Sequence, residues 1–311
     1  MRESGRSVQI PRLKPMLAKL KDVPPSQVER LSFIEARLYF LGELRRADVA
    51  KRFSRASIQA SRDLALYKEL APGNLAYDFQ AKTYLPGEKF KLIFTRTPER
   101  VMYWLRSGLG DGLPHPQGLP TAAVESLSQP RLGELAVVTR AIYRRQILEV
   151  TYVSLSSGNT RRQIVPHALV DNGQRWHVRA YDRDNSRFSD FVITRISKAV
   201  VMGAGEAARH ERREADEQWN RTVELILIPH PKLKHKAAIE ADYGMKGGRL
   251  KVTCRAAVAG YALRRWGVDC SPGHVLSEND YQLSLLNLAV LRNVESTLLA
   301  PGEPSHRDKQ D

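Results

Sequence analysis

A stretch rich in glycine and proline, residues 107–130, interrupts this 311-residue chain and argues against one continuous fold. It holds four glycines and four prolines and shows neither helical nor strand periodicity, which is typical of a linker. The chain is also longer than one ordinary domain. We therefore expect two or three domains, and an apolar content of 42% supplies more than one core.

The part before the linker opens with a predicted helix. Ser26 and Glu29 have the spacing of a capping box, which satisfies two backbone donors at a helix N-terminus. Apolar residues then follow at helical spacing on one face, namely Leu31, Ile34, Leu38 and Leu41. Gly42 is expected to end this helix.

Two further helices and a hairpin are predicted next. The second helix covers 47–53, and the third runs from Ser57, as its N-cap, to about Leu70. The third helix would bury a face made of Ala60, Leu64, Tyr67 and Ala71. Alternating apolar residues predict a strand at 75–79, and 82–85 would form its partner. Three short helices followed by a hairpin are typical of a winged helix-turn-helix.

This arrangement would place the third helix in the major groove, where its N-terminal side chains meet base edges. The side chains expected to read bases are Ser57, Gln59, Ser61 and Arg62. The cations expected to meet the phosphate backbone are Arg45, Arg46, Lys51, Arg52 and Arg55. Lys82 lies near the tip of the wing. A formal charge of +15 suits a polyanionic partner, which we expect to be double-stranded DNA.

Other interpretations of the basic N-terminal part stay open. Winged helices also serve as protein-interaction modules with an ordinary charged surface. Arg62 can instead pair with Asp63 and hold its helix in place. For the chain as a whole, an RNA- or single-strand-binding protein is a further alternative, because arginine-rich strands in the small barrel predicted after the linker suit such ligands. A nucleic-acid-processing enzyme is another alternative.

After the linker, a helix from about Arg131 precedes four or five predicted strands. The strands are expected at 147–153, 161–170, 175–181 and 188–193. Asp171-Asn172-Gly173 signals a tight turn between the second and the third. Short antiparallel strands of this kind predict a small, strongly bent, Sm-like barrel.

Arginine dominates the charged residues of this barrel. The segment from Arg161 to Arg195 holds seven arginines, two histidines and no lysine. Strand periodicity places Arg175, His177 and Arg179 on one face. A guanidinium holds phosphate or carboxylate at two points, and such a face is costly to bury empty, so it predicts an anion pocket. The alternative is surface pairing with Asp171, Asp182, Asp184 and Asp190.

Three blocks of this region resemble a WYL domain: VPHALV at 165–170, GQRWHVRAYD at 173–182 and FSDFVITRI at 188–196. The tripeptide that names the family reads Trp-His-Val here. The resemblance implies that the domain senses an anionic effector, a nucleotide or an oligonucleotide, through a basic pocket. The pocket residues implied are Tyr152, Ser154, Arg162, His167, Arg175, His177, Arg179 and Arg195. His177 stands in place of the naming tyrosine, and because histidine can donate, accept or carry charge, the effector stays open.

The N-terminal blocks LSFIEARLYFLG at 31–42, SRDL at 61–64 and APGN at 71–74 resemble the BrxR/CapW branch of WYL regulators. The resemblance covers nearly the whole chain. It implies a homodimer that binds an inverted-repeat operator and represses a phage-defence operon.

The last third predicts a small α+β unit, which in such regulators mediates dimer contacts. We expect a connecting helix or linker at 203–219. Strands are predicted at 223–228 and 249–256, and helices at 232–243, 258–266 and 279–299. Apolar residues of the last helix would pack in the core or across a dimer: Leu283, Leu286, Val290 and Val294.

The predicted fold class is therefore α+β. The expected domains are a winged helix-turn-helix with an N-terminal extension (1–96), a linker (97–130), a WYL ligand-sensing domain (131–202), a dimerisation domain (203–300) and a disordered tail (301–311).

The sequence lacks the motifs of common enzyme classes, including GxxxxGKS/T, HExxH and GxSxG. Its two cysteines, Cys254 and Cys270, exclude a disulfide framework and argue against a zinc site. We expect no catalytic residues, no metal and no cofactor. Without an apolar run of membrane length or a signal-peptide core, the protein is expected in the cytoplasm and away from membranes.

Overall fold

The computed structural model describes residues 20, 23–54, 56–107, 127–203 and 206–303. They form two compact units. The first combines the chain up to Thr121 with Arg131–Arg144, and the second combines Ala122–Pro130 with the chain from Arg145 onwards. Across the described ranges, no helix has the length and apolar character needed to cross a membrane.

The first unit begins with helix α1 (Pro25–Ala36), which continues into one π-helical turn, Arg37–Leu41. Gly42 ends it with a φ of 78°, a conformation that glycine adopts without steric cost. The predicted capping box is wrong: Pro24 is the N-cap, Pro25 opens the helix, and no side chain caps it. Three of the four residues of the predicted inner face, Leu31, Ile34 and Leu38, are fully buried, and Leu41 is partly buried.

Helix α2 covers Arg46–Arg52, helix α3 covers Ser57–Leu70, and strands β1 (Leu75–Asp78) and β2 (Thr83–Pro86) form the hairpin. Ser57 is the first helical residue rather than the cap, because Ala56 before it has the extended N-cap conformation. The predicted inner face of α3 is buried: Ala60, Leu64, Tyr67 and Ala71. Leu44 pairs with Tyr84 as an isolated bridge and ties the hairpin to the start of α2. These elements confirm the winged helix-turn-helix.

Helices α4 (Pro98–Ser107) and α5 (Leu132–Arg144) complete the first unit. Helix α5 lies at the start of the region predicted as the WYL domain, yet it packs against the π-helical turn. The Thr139 hydroxyl donates to the Phe40 carbonyl at 2.6 Å, and the Arg144 guanidinium donates to the Gly42 carbonyl. The last carbonyls of a helix have no partner within it, and side chains of α5 bind two of them at this C-terminal end.

The second unit contains a five-stranded antiparallel sheet with the strand order β6-β5-β4-β3-β7. Its strands are β3 (Leu148–Ser154), β4 (Gly158–Asp171), β5 (Trp176–Asp182), β6 (Arg187–Val192) and β7 (Ile196–Val201). Register shifts between Pro166 and Ala168 and between Thr151 and Tyr152 bend the sheet. The predicted turn after Asp171 is present, and Gly173 has a φ of 84°.

The rest of the second unit is a smaller α+β arrangement. It comprises the short helix α6 (Glu217–Asn220), β8 (Thr222–Pro229), α7 (Lys236–Asp242), β9 (Leu250–Arg255), α8 (Ala256–Arg265), β10 (Val268–Asp269) and β11 (Leu283–Leu285). The strand order is β10-β11-β8-β9. Two 3₁₀ turns precede α6, at Arg209–Glu211 and Arg213–Ala215, where a connecting helix or linker was expected.

The predicted helix over 279–299 is wrong. Leu283 and Leu285 are buried and pair with β8, so this segment is a strand followed by 3₁₀ turns at Leu288–Leu291 and Glu295–Leu299. Asn293 lies between the turns with a φ of 59°, which a continuous helix does not contain. Of the apolar residues assigned to that helix, Leu283 and Val294 lie in the core, whereas Leu286 is 42% exposed.

Candidate nucleic-acid interface and ligand site

A buried ion pair fixes helix α3 against helix α1. Arg30 Nε lies 2.6 Å from Oδ2 of Asp63, and both side chains are almost completely buried. Oδ1 of Asp63 also accepts from the amides of Gln27 at 2.9 Å and Gln59 at 3.2 Å. Asp63 therefore pairs with Arg30 on the neighbouring helix, and Arg62 beside it is exposed. This network orients the helix predicted to enter the groove.

Most residues predicted to meet DNA are exposed on the first unit: Arg45, Arg46, Lys51, Arg52, Ser57, Arg62 and Lys82. Arg46 Nη1 reaches the Ser61 hydroxyl at 3.4 Å and so links α2 with α3. Ser61 itself is half-buried and donates to the Ser57 carbonyl, and Gln59 is held by Asp63. Arg55 lies outside the described residues. The exposed cations of α2 and Arg62 of α3 thus lie on two helices that are in contact with each other.

A second buried carboxylate, Glu35, was missed by the sequence reasoning. It accepts from the backbone amides of Ile93 and Phe94, from the Tyr67 hydroxyl and from Arg96 at 2.6 Å. Burial and the negative charge of Glu35 raise the pKa of Tyr67 far above its usual value. Its position in the sequence could have indicated its burial, because Glu35 follows Leu31 by four residues and falls on the apolar face of α1.

Two predicted ligand residues, Arg179 and His167, are held by a carboxylate of the connecting segment. Arg179 is 4% exposed and binds both oxygens of Asp216, at 2.8 and 3.0 Å. His167 Nε2 lies 3.0 Å from Oδ2 of the same carboxylate. Burial alone would raise the pKa of Asp216, but these hydrogen bonds outweigh burial and lower it to about 2. Asp216 also caps helix α6 through the Trp219 amide.

Three more predicted ligand residues have partners within the sheet. Arg162 Nη1 binds Asp182 at 2.9 Å, as the carboxylate-pairing alternative expected. The Tyr152 hydroxyl is buried and accepts from the Val192 amide at 3.3 Å. Ser154 Oγ accepts from the Ser156 amide in the β3–β4 turn.

The remaining three, Arg175, His177 and Arg195, form a cationic cluster in which the two arginines carry the positive charge. The His177 ring is 4% exposed and packs against Tyr261 of α8 with 5.1 Å between ring centroids. Burial, followed by the charges of Arg175 and Arg195, lowers the pKa of His177 to about 4. Within the described part of the chain, Nδ1 of His177 and Nε of Arg175 are buried without a hydrogen-bond partner.

Arg265 of helix α8 reaches the turn that precedes this cluster. A Cβ atom on Gly173 would lie 2.5 Å from Nε of Arg265, so the guanidinium packs directly on the glycine backbone. No sequence pattern connected Arg265 with the turn, because the two lie on different elements. The described residues contain no group of three histidine, cysteine or acidic side chains arranged for a metal ion.

Three family models match successive parts of the chain. Residues 26–107 match the "BrxR transcriptional regulator winged helix-turn-helix domain", and residues 133–201 match the "WYL domain". Residues 222–291 match the "BrxR transcriptional regulator, C-terminal dimerization domain".

Curated relatives are similar over most of their length. The chain is 36% identical over 247 residues to the DNA-binding transcriptional repressor CapW of Pseudomonas aeruginosa, covering 76% of this chain and 81% of the relative. It is 34% identical over 271 residues to CapW of Stenotrophomonas maltophilia, covering 81% of this chain and 89% of the relative. CapW of Escherichia coli is 32% identical over 272 residues, with 84% and 89% covered.

Similarity to solved structures is much weaker. The proteasome accessory factor B/C (PafBC) of Arthrobacter aurescens aligns with 96% of this chain at 17% identity and a TM-score of 0.25. A CRISPR Cas-related protein aligns with 58% of it at 10% identity and a TM-score of 0.28. The chain spans 52% and 55% of those two structures. Membership of a family is therefore decided by the sequence relatives.

Proposed function

The chain belongs to the BrxR/CapW family of WYL-domain transcriptional regulators, and from that premise we propose that it is a homodimeric, sequence-specific DNA-binding repressor. The relatives named CapW are DNA-binding transcriptional repressors. The matched C-terminal domain is a dimerization domain in its family. The protein acts in this proposal by binding, without catalysis.

One observation supports this function above the others: helix α3 is fixed by a buried ion pair while Arg62 on α3 and the cations of α2 stay exposed. Asp63 and Arg30 set the orientation of the helix, and Arg62 remains exposed on its first half. A helix that enters the major groove must be held rigidly from behind and present free side chains in front. The exposed cations of α2 then neutralise phosphates on either side.

The operator in this proposal is an inverted repeat that controls a phage-defence operon. A dimer with two-fold symmetry presents two α3 helices, and two-fold symmetry in the protein calls for the same symmetry in the DNA. The proposal that the regulated operon serves phage defence is based on the family resemblance.

We further propose an anionic effector, a nucleotide or an oligonucleotide, at the cluster of Arg175, His177 and Arg195. Arg175 and His177 keep buried nitrogen atoms without hydrogen-bond partners in the described structure, whereas Arg179, Arg162 and, through Nε2, His167 are already bound to carboxylates. An anion would supply the missing acceptor at Arg175 and compensate the positive charges of Arg175 and Arg195. Effector binding changes repression only if it favours one conformation of the dimer.

DNA binding is tested by anisotropy titration of the full-length protein against its own upstream intergenic duplex and a scrambled duplex at two salt concentrations. We expect a preference of about 10³-fold or more for the native duplex. Arg62→Ala should reduce that preference, whereas Lys68→Ala, which removes an exposed cation from the far end of the same helix, should not. Equal and steeply salt-dependent binding to both duplexes would indicate a non-specific nucleic-acid binder instead.

The effector site is tested with a short single-stranded oligonucleotide added to the protein–operator complex. We expect the oligonucleotide to change operator affinity in the wild type and not in Arg175→Ala or Arg195→Ala, with basal DNA binding retained. Arg161→Ala removes an exposed arginine from strand β4 and should behave as the wild type. A response that survives both pocket substitutions would contradict this site.

A further inference from the structure

Ile58, in the first turn of helix α3, is the one exposed isoleucine among the residues that the structure describes. It is 69% exposed, whereas Ile34 and Ile93 in the same unit are at most 5% exposed. Isoleucine also favours a helix less than alanine does, because its branched side chain loses rotamer freedom there. Single exposed apolar residues are common on protein surfaces, so the place of Ile58 in the fold decides what it means.

Ile58 lies on the outward face of helix α3. Helical periodicity places Ser61 and Arg62 on that face, three and four residues later, and Ala65 follows one turn after Ser61. Arg62 and Ala65 are exposed, and the Ser61 hydroxyl accepts from the Arg46 guanidinium of α2 at 3.4 Å. The apolar side chain therefore shares its face with one arginine and with a serine that binds another.

Charge decides which kind of partner suits this face. Lys51 and Arg52 of α2 are exposed, as are Arg46 and Arg62. Cations on two helices in contact complement the phosphates of a duplex, whereas an apolar protein surface would offer them no acceptor. Double-stranded DNA is therefore the occupant that the charges favour.

Two of the four polar side chains predicted to read bases are engaged within the unit. The Gln59 amide donates to Asp63 at 3.2 Å, and the Ser61 hydroxyl donates to the Ser57 carbonyl at 3.1 Å. Ile58 thus occupies exposed surface on the first turn that a base edge can contact only through carbon atoms.

The major groove offers one apolar feature to such a side chain. All four bases present hydrogen-bonding groups there, and thymine adds a 5-methyl group. Ile58 has no polar side-chain atom to replace the water on a donor or an acceptor, and leaving these groups unpaired is costly. We propose that Ile58 packs on the 5-methyl group of a thymine in each operator half-site and so selects a T·A pair there. The inference rests on the proposed repressor function and adds a specificity-determining residue to it.

Deoxyuridine in place of thymidine tests this contact, because it removes the methyl group and keeps every hydrogen-bonding atom of the base pair. The probe is the upstream intergenic duplex synthesised with deoxyuridine throughout. Its affinity for the full-length protein is compared with that of the thymidine duplex by anisotropy titration. Burial of one methyl group corresponds to about a 4-fold change in affinity, so contacts in two half-sites correspond to about 15-fold.

Ile58→Ala separates the proposed contact from the other effects of the methyl groups. Deoxyuridine also alters base stacking and any methyl contact of another residue, but these effects act on both proteins and cancel when they are compared. We expect deoxyuridine to weaken binding by the wild type about 15-fold more than binding by Ile58→Ala. The variant should fold, because Ile58 is exposed and alanine is the better helix former.

Leu155→Ala provides the matched control, because Leu155 is apolar and 87% exposed but lies in the turn between β3 and β4 of the second unit. It should keep the full wild-type loss on deoxyuridine DNA. Salt provides a second readout. A methyl contact releases no counterions, so the wild-type loss should be the same at two salt concentrations although both affinities fall with salt.

Equal affinity of the wild type for the two duplexes, or an equal loss in the wild type and Ile58→Ala, would overturn the proposal. If the wild type still prefers the native duplex to a scrambled one, the repressor proposal stands and the role of Ile58 alone fails. If that preference is absent, the repressor proposal fails and the role of Ile58 fails with it.

Discussion

Asp63 is fully buried and accepts from Arg30, Gln27 and Gln59, so its removal would leave the Arg30 guanidinium buried without its charge partner. We expect Asp63→Ala to lower the free energy of unfolding of the first unit by about 3–5 kcal/mol, the usual cost of breaking a buried pair from one side. Urea denaturation measures the change. Glu69→Ala removes an exposed carboxylate from the same helix and should change stability by less than about 0.5 kcal/mol. Equal losses in the two variants would contradict the role of the pair.

His177 should make the stability of the second unit depend on pH. Burial and the charges of Arg175 and Arg195 lower its folded pKa to about 4, and Asp171 opposes them. Because the unfolded chain takes up the proton first, the stabilisation is present above the unfolded pKa of about 6.5 and is lost as pH falls through the folded pKa. We expect a loss of about 2 kcal/mol between pH 7 and pH 5.

Urea midpoints at the two pH values test this prediction. His177→Gln cannot titrate and should show a smaller pH dependence than the wild type. His235→Gln, which removes an exposed histidine, should keep the wild-type dependence. An unchanged pH dependence in His177→Gln would show that other groups cause it.

At the scale of elements, the contact between helix α8 and the turn Glu295–Leu299 depends on the absence of a side chain at Gly260. A Cβ there would lie 1.6 Å from the Ser296 carbonyl oxygen, and the Gly260 amide donates to the Ser296 hydroxyl at 3.0 Å. We expect Gly260→Ala to destabilise the second unit by about 1–3 kcal/mol through this overlap. Thermal unfolding measures it.

Gly133 in helix α5 is the control for that substitution. A Cβ there would meet nothing within 4 Å, so Gly133→Ala should stabilise the first unit by about 0.5–1 kcal/mol through helix propensity alone. A similar response at both positions would mean that packing at Gly260 is not decisive.

Elements with a long apolar period could be predicted from the sequence, and α3 ends at Leu70 as expected. The last predicted helix failed because Leu283 and Leu285 belong to a three-residue strand, too short for its period to differ from that of a helix. Its conformation is imposed by β8, more than fifty residues earlier in the chain.

In the candidate sites, too, local patterns could be predicted from the sequence and contacts between distant residues could not. The strand periodicity of the sequence placed Arg175 and His177 on one basic face. It did not show that the Arg179 guanidinium binds the carboxylate of Asp216, which lies 37 positions later in the chain. An arginine carries the same signal in a sequence whether its partner is a ligand or a distant carboxylate. The Arg30–Asp63 pair, 33 positions apart, was hidden for the same reason.

At the scale of the whole molecule, a dimer that reads both halves of an inverted repeat must depend on their spacing. Inserting five base pairs between the half-sites turns one half to the opposite side of the duplex, because B-DNA repeats every 10–10.5 base pairs. We expect that insertion to reduce affinity towards the level of scrambled DNA, and a ten-base-pair insertion to be less harmful. Anisotropy titrations with the three duplexes measure the difference. Equal affinity for all three would indicate that each half-site is bound independently.

The contacts of helix α5 affect how domains can be exchanged between such regulators. By sequence it belongs with the WYL match that begins at residue 133, but its side chains bind the carbonyls of Phe40 and Gly42 in the first unit. Consider a chimaera, natural or engineered, that joins this winged helix-turn-helix to the WYL domain of another regulator at a junction within 107–130. Its α5 would come from the other protein and would not match the π-helical turn. Crossovers after Arg144 keep the helix with its own partner, so functional hybrids should be recovered from that junction.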